Sequence, residues 1–157
     1  MKTYLVIIGK NDKTWLNTGI CEYLNRVKKY ISLEIVLIND IKNKAKMPEL
    51  IVKNKEGELI LNKIPKNDTV ILLDEKGKRL SSIDFADFFQ KQMNLGNKNI
   101  YFVIGGAYGF SKAVYERSNY AISLSAMTFS HQLARLIFAE QLYRALTIIN
   151  NEKYHNP

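Results

Sequence analysis

Three glycines that follow an apolar stretch are the residues of this sequence with the clearest potential to approach a ligand. In "YFVIGGAYGF" (101–110), four apolar residues lead into Gly105, Gly106 and Gly109. A strand that ends in a glycine cluster can bring its backbone close to a bound group, because glycine adds no side-chain bulk. The alternative is a tight turn without a ligand, and the spacing of the glycines alone leaves both interpretations open.

The sequence lacks two common nucleotide-binding motifs. A Rossmann site needs G-x-G-x-x-G at the first turn from strand to helix, but that turn, "IIGKNDKTW", contains only Gly9. The P-loop pattern G-x-x-x-x-G-K-[ST] does not occur anywhere in the chain. NAD and nucleoside triphosphates are therefore poor candidates. The common Rossmann-like methyltransferases are excluded as well, since their glycines also follow the first strand.

A second segment, "SLSAMTFSH" (123–131), has small residues that leave its backbone accessible. Backbone N–H and C=O groups can recognise the edges of an adenine while apolar side chains enclose the ring. Together with the glycines, this loop could enclose an adenine, and a structural turn without a ligand stays the alternative.

Apolar runs and helical patterns alternate along the whole chain. The patterns predict strands over 3–9, 33–39, 68–74, 99–106 and 120–125, and helices over 14–31, 48–63, 81–96, 111–118 and 131–150. Thr14 is a candidate N-cap, and "EKGKR" (75–79) is predicted to be a polar loop. This alternation predicts one α/β domain over 1–157, with a mostly parallel sheet and helices on both faces. Such sheets bind ligands beyond the carboxyl ends of their strands.

Composition limits the class of partner. Lys and Arg total 23 against 15 acidic residues, a formal charge of +8, which favours a polyanionic partner or serves solubility alone. No apolar run reaches the roughly 20 residues that cross a bilayer, and the N-terminal run is too short for a signal peptide. We therefore expect a cytoplasmic protein with no membrane partner.

One cysteine and two histidines argue against a disulfide and against a metal site. Cys21 lies in the helical pattern 14–31, where we predict a small buried hydrophobe in preference to a nucleophile.

The last helix is apolar on two faces. One apolar stripe at helical spacing consists of Ala134, Ile137, Phe138, Leu142, Ala145 and Ile149. A second apolar surface outside this stripe consists of Leu133, Leu136, Tyr143 and Leu146. Two apolar faces predict a homodimer, with a helix buried deep in a monomer core as the alternative.

The segments "VIGGAYGF", "ISLSAMTFSHQLARLIFAEQLYRAL" and the closing "YH" resemble the RlmH family, SPOUT-class methyltransferases that modify pseudouridine in 23S ribosomal RNA. The resemblance extends over the chain, from "LVIIGK" and "EYLNRVKKY" through "LLDEKGK" to the tail. It implies a C-terminal trefoil knot, which no periodicity predicts, together with S-adenosyl-L-methionine as methyl donor and a homodimer. The implied cofactor-binding residues are Leu73, Gly105, Leu124, Ser125, Ala126, Met127, Thr128 and Phe129.

The chain departs from the family pattern in three places. The usual G-G-P-x-G lacks its proline, because Ala107 occupies that position. The common L-P-H is Phe129-Ser130-His131, and the Tyr-His-Arg ending is Tyr154-His155-Asn156. The last change removes a cation that would face RNA.

The implied reaction is methylation of N3 of a pseudouridine, in which positioning can supply much of the rate. His155 is the candidate for a base or substrate-positioning group, and Tyr154 for a stacking or hydrogen-bonding partner. His131 is expected to tie the cofactor loop to the last helix. Candidate RNA-binding residues are Arg144, Lys42, Lys44 and Lys46, with solvated surface as the alternative.

Two other functions remain possible at this point. The chain could be a non-catalytic RNA-binding or ribosome-assembly module of the same fold, or a flavodoxin-like small-ligand binder. Neither requires S-adenosyl-L-methionine. The sequence does not distinguish free rRNA from the assembled ribosome as substrate.

Overall fold

A single parallel sheet organises the molecule. The computed structural model describes residues 1–156, which form β1 Lys2–Ile8, α1 Thr14–Val27, β2 Ser32–Ile38, a 3₁₀ turn Lys44–Lys46, α2 Glu49–Lys63, β3 Thr69–Arg79, α3 Ser82–Asn94, β4 Asn99–Ile104, α4 Lys112–Arg117, β5 Tyr120–Ser123 and α5 His131–Ile149. The strand order is β2-β1-β4-β3-β5, and every pair is parallel. The predicted α/β class is confirmed.

Helices cover both faces of the sheet. On one face α1, α3 and α5 pack around Phe102, with Phe89 and Phe138 in direct aromatic contact with it. On the other face α2 and α4 pack through Ile60 and Val114. Successive residues of β4 enter opposite cores, as the alternation of a strand requires. The central strands are apolar on both sides for this reason, as predicted. The prediction was wrong for β2 at the edge of the sheet, where only Leu33 and Ile38 are buried.

The end of β3 wraps around β5. Ile122 pairs with Leu73 and also with Lys78, with a register shift between those two partners. Because a strand residue has one neighbour on each edge, the segment 74–77 must cross from one edge of β5 to the other. Gly77 makes this crossing possible, since a Cβ there would lie 2.5 Å from the backbone nitrogen of Ile122. The prediction that 75–79 is a loop was therefore wrong, because β3 continues to Arg79, and Lys78 and Arg79 pair with β5.

Two local predictions on α1 were also wrong. The N-cap is Lys13, without a side-chain cap, and Thr14 is the first helical residue. Cys21 is exposed, because the buried stripe of α1 runs through Leu16, Ile20 and Leu24. A cysteine one position after Ile20 points away from the core.

The last helix is buried more deeply in its own chain than its pattern suggested. Leu146, predicted to lie outside the buried stripe, is 2% exposed. Leu136 packs against Gly19 of α1, and Tyr143 contacts Tyr23. The apolar surface that suggested a partner is thus largely covered by α1.

Candidate active site

A cleft opens beside the carboxyl ends of β4 and β5 and residues 73–76 of β3. Its volume is about 520 Å³, which falls in the range of small-molecule sites. Seven of the eight cofactor-binding candidates line it: Leu73, Gly105, Leu124, Ser125, Met127, Thr128 and Phe129. The eighth, Ala126, is exposed and lies outside the lining. The fold therefore brings together residues that are up to 56 positions apart in the sequence.

The glycine turn forms one wall of the cleft. Gly105 is buried, and a Cβ at this position would lie 3.1 Å from the ring of Phe110. Gly109 adopts φ +79°, and its N–H donates to the Gly106 carbonyl at 3.2 Å. Of the three glycines in this turn, Gly109 alone has the left-handed backbone that favours glycine. The glycines thus form a tight turn that packing requires, and this turn also lines the cleft. Contact of the turn with a ligand stays a prediction.

Glu56 of α2 supports this turn and was missed by the sequence analysis. Its carboxylate lies against Gly106, where any Cβ would collide with it. Glu56 is 2% exposed, and its Oε2 has no hydrogen-bond partner among residues 1–156. Burial raises the pKa of this carboxyl, although the nearby charge of Lys44 opposes the shift. No pattern in α2 distinguishes this buried acid from its exposed neighbours.

The loop 124–129 is fixed by short polar contacts. The Ser123 hydroxyl donates to the Ser125 carbonyl at 2.7 Å, and the Ser125 hydroxyl accepts from the Met127 N–H at 2.9 Å. Thr128 donates to Glu75 Oε2 at 2.9 Å, which joins this loop to the crossing segment of β3. Met127 is 76% exposed and leaves its apolar side chain at the mouth of the cleft.

Asp74 introduces a negative charge into the cleft directly after Leu73. It accepts a hydrogen bond from the Tyr115 hydroxyl and another, at 2.8 Å, from the Lys76 N–H. Burial and this carboxylate raise the pKa of Tyr115, so its phenol stays protonated and donates. Lys53 and Lys76 also line the cleft, which therefore carries both signs of charge. The hydrogen bond between Tyr115 and Asp74 could not be predicted from the sequence.

His131, at the start of α5, lines the cleft. Burial and the nearby cation of Arg135 lower its pKa, so the imidazole is neutral at pH 7. His131 was expected to connect the cofactor loop to α5, but its side chain makes no hydrogen bond among residues 1–156. Ser130 caps α5 by accepting from the Leu133 N–H at 3.2 Å.

Arg135 fastens α5 to the end of β1 and was also missed. It is 1% exposed, and its guanidinium donates to the carbonyls of Gly9, at 3.0 Å, and Ile8, and to Asn11 Oδ1 at 2.8 Å. Burial lowers its pKa from that of a free arginine. Because these bonds join α5 to the end of β1, Arg135 positions the start of α5, where His131 and Ala134 line the cleft.

The predicted catalytic pair lies in a separate cluster at the far end of α5. Arg144 stacks over the Tyr154 ring at 4.8 Å, and its Nη1 lies 3.3 Å from His155 Nδ1. The Tyr154 hydroxyl donates to Glu140 Oε1 at 3.2 Å, which also accepts from Arg144 Nε at 3.0 Å. We call Glu140, Arg144, Tyr154 and His155 the tail cluster. Its polar groups largely satisfy one another.

The tail cluster does not reach the cleft of its own chain. Arg144 lies about 20 Å along the helix axis from His131, at 1.5 Å per residue. The tail is held there, because Tyr30 donates to Glu152 at 2.7 Å, a bond that helps to raise the pKa of Tyr30 to about 12. Neither Tyr154 nor His155 lines the cleft. Within one chain, the structure separates the two predicted parts of the active site.

The lysine-rich loop contains the 3₁₀ turn 44–46. Lys42 and Lys46 are exposed, whereas Lys44 pairs with Asp40, which raises the pKa of that lysine. Of the predicted RNA contacts, Lys42 and Lys46 are thus available, and Lys44 and Arg144 are engaged by acidic partners.

Comparison with known proteins identifies the family. The family described as "Predicted SPOUT methyltransferase" matches residues 1–155. Proteins named "Ribosomal RNA large subunit methyltransferase H" are 51% identical in Parabacteroides distasonis and 53% identical in Flavobacterium psychrophilum, over 156 residues and 99% of both chains in each case. The chain belongs to the SPOUT methyltransferase family. The resemblance noted in the sequence is confirmed, and with it the assignment of the chain as a methyltransferase.

Two solved structures share the fold at low identity. A probable methyltransferase from Bordetella pertussis superposes with a TM-score of 0.57 at 13% identity, covering 92% of this chain and 96% of that one. A probable methylase family protein from Haemophilus influenzae gives 0.52 at 14% identity, over 97% and 67%. At such identities the likeness supports the α/β architecture of this SPOUT chain and nothing finer.

Two further observations bear on the partners of this SPOUT methyltransferase. None of the helices in residues 1–156 has the length and apolar character to span a membrane. In the same residues, no three His, Cys, Asp or Glu side chains cluster in a way that could hold a metal ion.

Proposed function

We propose that this SPOUT methyltransferase transfers a methyl group from S-adenosyl-L-methionine to N3 of a pseudouridine in 23S rRNA of the ribosome. The observation that carries the proposal is the cleft formed by the glycine turn and loop 124–129, in a chain about half identical to ribosomal RNA large subunit methyltransferases. The net charge of +8 suits an RNA substrate. Residues 1–157 would act as a single α/β-knot domain.

The residues of the cleft fit S-adenosyl-L-methionine. Its volume of about 520 Å³ accommodates a nucleoside with an amino-acid tail. Leu73, Leu124 and Met127 offer apolar surface for a purine ring, and the turn at Gly105 exposes backbone to its edges. Asp74 provides negative charge toward a sulfonium. When bound, this cofactor supplies a methyl group that is already attached to a good leaving group.

The protein would then align the nucleophile and accept its proton. We propose that Tyr154 stacks on or hydrogen-bonds the target base, while His155 orients N3 or accepts its proton. The contact between His155 and Arg144 would have to open for this role. With His131 neutral at the cleft, an imidazole inside the cleft itself is a further acceptor at pH 7.

Because Tyr154 and His155 do not line the cleft of their own chain, and Arg144 beside them lies about 15 Å along α5 from the cleft residue Ala134, we propose that the tail cluster serves the cleft of a second copy in a homodimer. Leu133 and Ile137 remain half-buried one turn apart on α5, close to the cleft end of the helix. Met127 and Trp15 are 76% and 61% exposed. These apolar side chains are the surface on which a second copy would pack. Sedimentation that finds a monomer at micromolar concentration would contradict the homodimer.

A trefoil knot is part of the same proposal. The segment 74–77 crosses over β5, and the chain beyond β5 builds the cleft and α5. A loop that encircles the strand leading into the cofactor loop is what a knotted cofactor site requires.

The test combines cofactor binding with transfer of a labelled methyl group. Calorimetry should show one S-adenosyl-L-methionine per cleft, and label should enter 23S rRNA in ribosomes from a strain that lacks this activity. Parallel reactions with protein-free rRNA would show which form is the substrate. A non-catalytic RNA-binding module would bind rRNA without incorporating label, and a flavodoxin-like binder would not bind this cofactor.

A further inference from the structure

A second groove lies between α3 and β5 and shares no lining residue with the cleft. It encloses about 380 Å³ between the end of β3, the outer surface of α3 and the start of β5. We call it the α3–β5 groove, and its defining side chains are Lys78, Arg79, Asp87, Phe88, Lys91 and Tyr120. None of these residues has a role in the cofactor site or in the tail cluster.

One aromatic side chain in this groove, Tyr120, is partly exposed to solvent. Tyr120 is 40% exposed, although large aromatic residues are usually more deeply buried. Phe88 supports it through a perpendicular ring contact with centroids 5.2 Å apart. This contact fixes the tyrosine while leaving part of its surface free. A supported, exposed aromatic ring is a stacking surface for an unpaired base.

Three cations surround that ring. Lys78, Arg79 and Lys91 are exposed, and none forms a salt bridge with another residue in 1–156. Two acids also line the groove: Asp84, which takes part in the capping box at the start of α3 and whose pKa is lowered by that capping and, to a smaller extent, by the charge of Lys78, and Asp87. Three cations therefore face two acids. The balance is positive beside an aromatic surface, which is the combination that binds single-stranded nucleic acid.

The groove lies next to the cleft. Ile122 pairs on one edge with Leu73, a cofactor-binding candidate, and on the other with Lys78. Two strand spacings of about 4.8 Å separate the Cα atoms of these partners by about 10 Å. One or two extended nucleotides span a distance of this size. RNA bound in the groove would therefore reach the cleft.

We propose that the α3–β5 groove binds one or two unpaired nucleotides that flank the target base in the RNA. Tyr120 stacks on a base, and Lys78, Arg79 and Lys91 contact the phosphates. The proposal rests on the RNA substrate of the proposed function and adds to it the path of the strand. The bound class is a single-stranded RNA segment, and a ribosomal protein on the same groove is the competing outcome of the test.

The experiment measures binding of protein-free 23S rRNA to the full chain and its variants by filter binding across a salt series. Tyr120→Ala should weaken binding at least fivefold, the lower end of the range for losing one stacked base. Lys78→Ala should weaken binding and make the slope of log K against log salt shallower by about 0.7–0.9. Asp87→Asn should strengthen binding. Lys112→Ala, which removes an exposed lysine on α4 away from the groove, is the matched control and should change little.

Cofactor affinity, measured by calorimetry, should stay within twofold in all four variants, which separates groove effects from misfolding. Unchanged rRNA binding in both Tyr120→Ala and Lys78→Ala would overturn the proposal. Weaker binding to ribosomes with unchanged binding to protein-free rRNA would assign the groove to a ribosomal protein and also overturn it. If the wild-type chain binds rRNA through the groove but transfers no methyl group, the proposed function fails while the groove assignment stands.

Discussion

The cleft and the tail cluster differ in how far their polar groups are satisfied within one chain. The cleft presents backbone, small residues and an exposed Met127 around an open volume of about 520 Å³. In the tail cluster, Arg144 already contacts Glu140, Tyr154 and His155. The cleft is an open volume at the strand ends that can accept a ligand, whereas the polar groups of the tail cluster bind one another.

Under the proposed function, this difference would separate cofactor binding from catalysis. The residues that line the cleft come from one chain, and in the proposal they hold the cofactor. The tail can act on a bound substrate only in a second copy or after a large rearrangement. Changes in the cleft should therefore affect cofactor binding, and changes in the tail should affect methyl transfer alone.

The largest expected effect is that of Gly105→Val on cofactor binding. The new Cβ would lie 3.1 Å from the Phe110 ring, and the valine methyl groups would push this ring into the cleft that it lines. We expect the affinity for S-adenosyl-L-methionine to fall at least about 100-fold, or roughly 2.7 kcal/mol, in calorimetry. Thermal unfolding of the same sample would show whether the variant is folded. A folded variant with unchanged affinity would remove the glycine turn from the site.

Deletion of residues 153–157 should separate the two regions. Methyl transfer to ribosomes should fall at least about tenfold in single-turnover reactions, about 1.4 kcal/mol of transition-state stabilisation. Cofactor affinity should remain within twofold, since the tail cluster does not line the cleft. His155→Ala should reproduce much of the loss if the imidazole orients N3 or accepts its proton. Full activity of the truncated chain would leave the tail without a role.

Mixing two variant protomers tests whether the tail of one chain acts at the cleft of its partner. A chain with Gly105→Val retains its tail, and a chain without 153–157 retains its cleft. If the tail serves the partner's cleft, mixed dimers should regain up to about a quarter of wild-type activity per total protein under random reassortment, because half of the dimers are mixed and each has one complete site. Activity no greater than the sum of the separate variants would place tail and cleft on the same chain.

The smallest expected effect concerns the charge of the cleft. Asp74→Asn should weaken binding of S-adenosyl-L-methionine about fivefold, near 1 kcal/mol, because a partly exposed carboxylate interacts modestly with a cation. S-adenosylhomocysteine, which lacks the sulfonium charge, should bind this variant nearly as well as wild type. Tyr115→Phe removes the hydroxyl that holds Asp74 and should give a weaker change in the same direction. Equal losses for both ligands would indicate a role in packing.

The sequence was most informative where burial is two-sided. The continuous apolar strands predicted the parallel sheet, and the small residues of 123–131 predicted the second wall of the cleft. The crossing of 74–77 over β5 could not be predicted, since pairing of Ile122 with both Leu73 and Lys78 depends on long-range topology. The residues "EKGKR" have the composition of a loop even though all five belong to β3.

The sequence also did not reveal which charged residues are buried. Glu56 and Arg135 look like surface charges in the sequence, and their burial follows from contacts with Gly106 and with the end of β1. The separation of His155 from the cleft was hidden for a similar reason. Sequence proximity of the tail to α5 says only that it follows the helix, and the length of that helix carries it away from the glycine turn.

The central claim is that this chain methylates N3 of a pseudouridine in 23S rRNA with S-adenosyl-L-methionine. The most direct measurement is mass mapping of 23S rRNA nucleosides after purified protein acts on ribosomes from a strain that lacks the activity. We expect one added methyl group, on N3 of one pseudouridine, that requires the cofactor and is absent with the Gly105→Val variant. Unmodified pseudouridines after full incubation of folded, cofactor-bound protein with both ribosomes and protein-free rRNA, or a methyl group on another nucleotide, would contradict the claim.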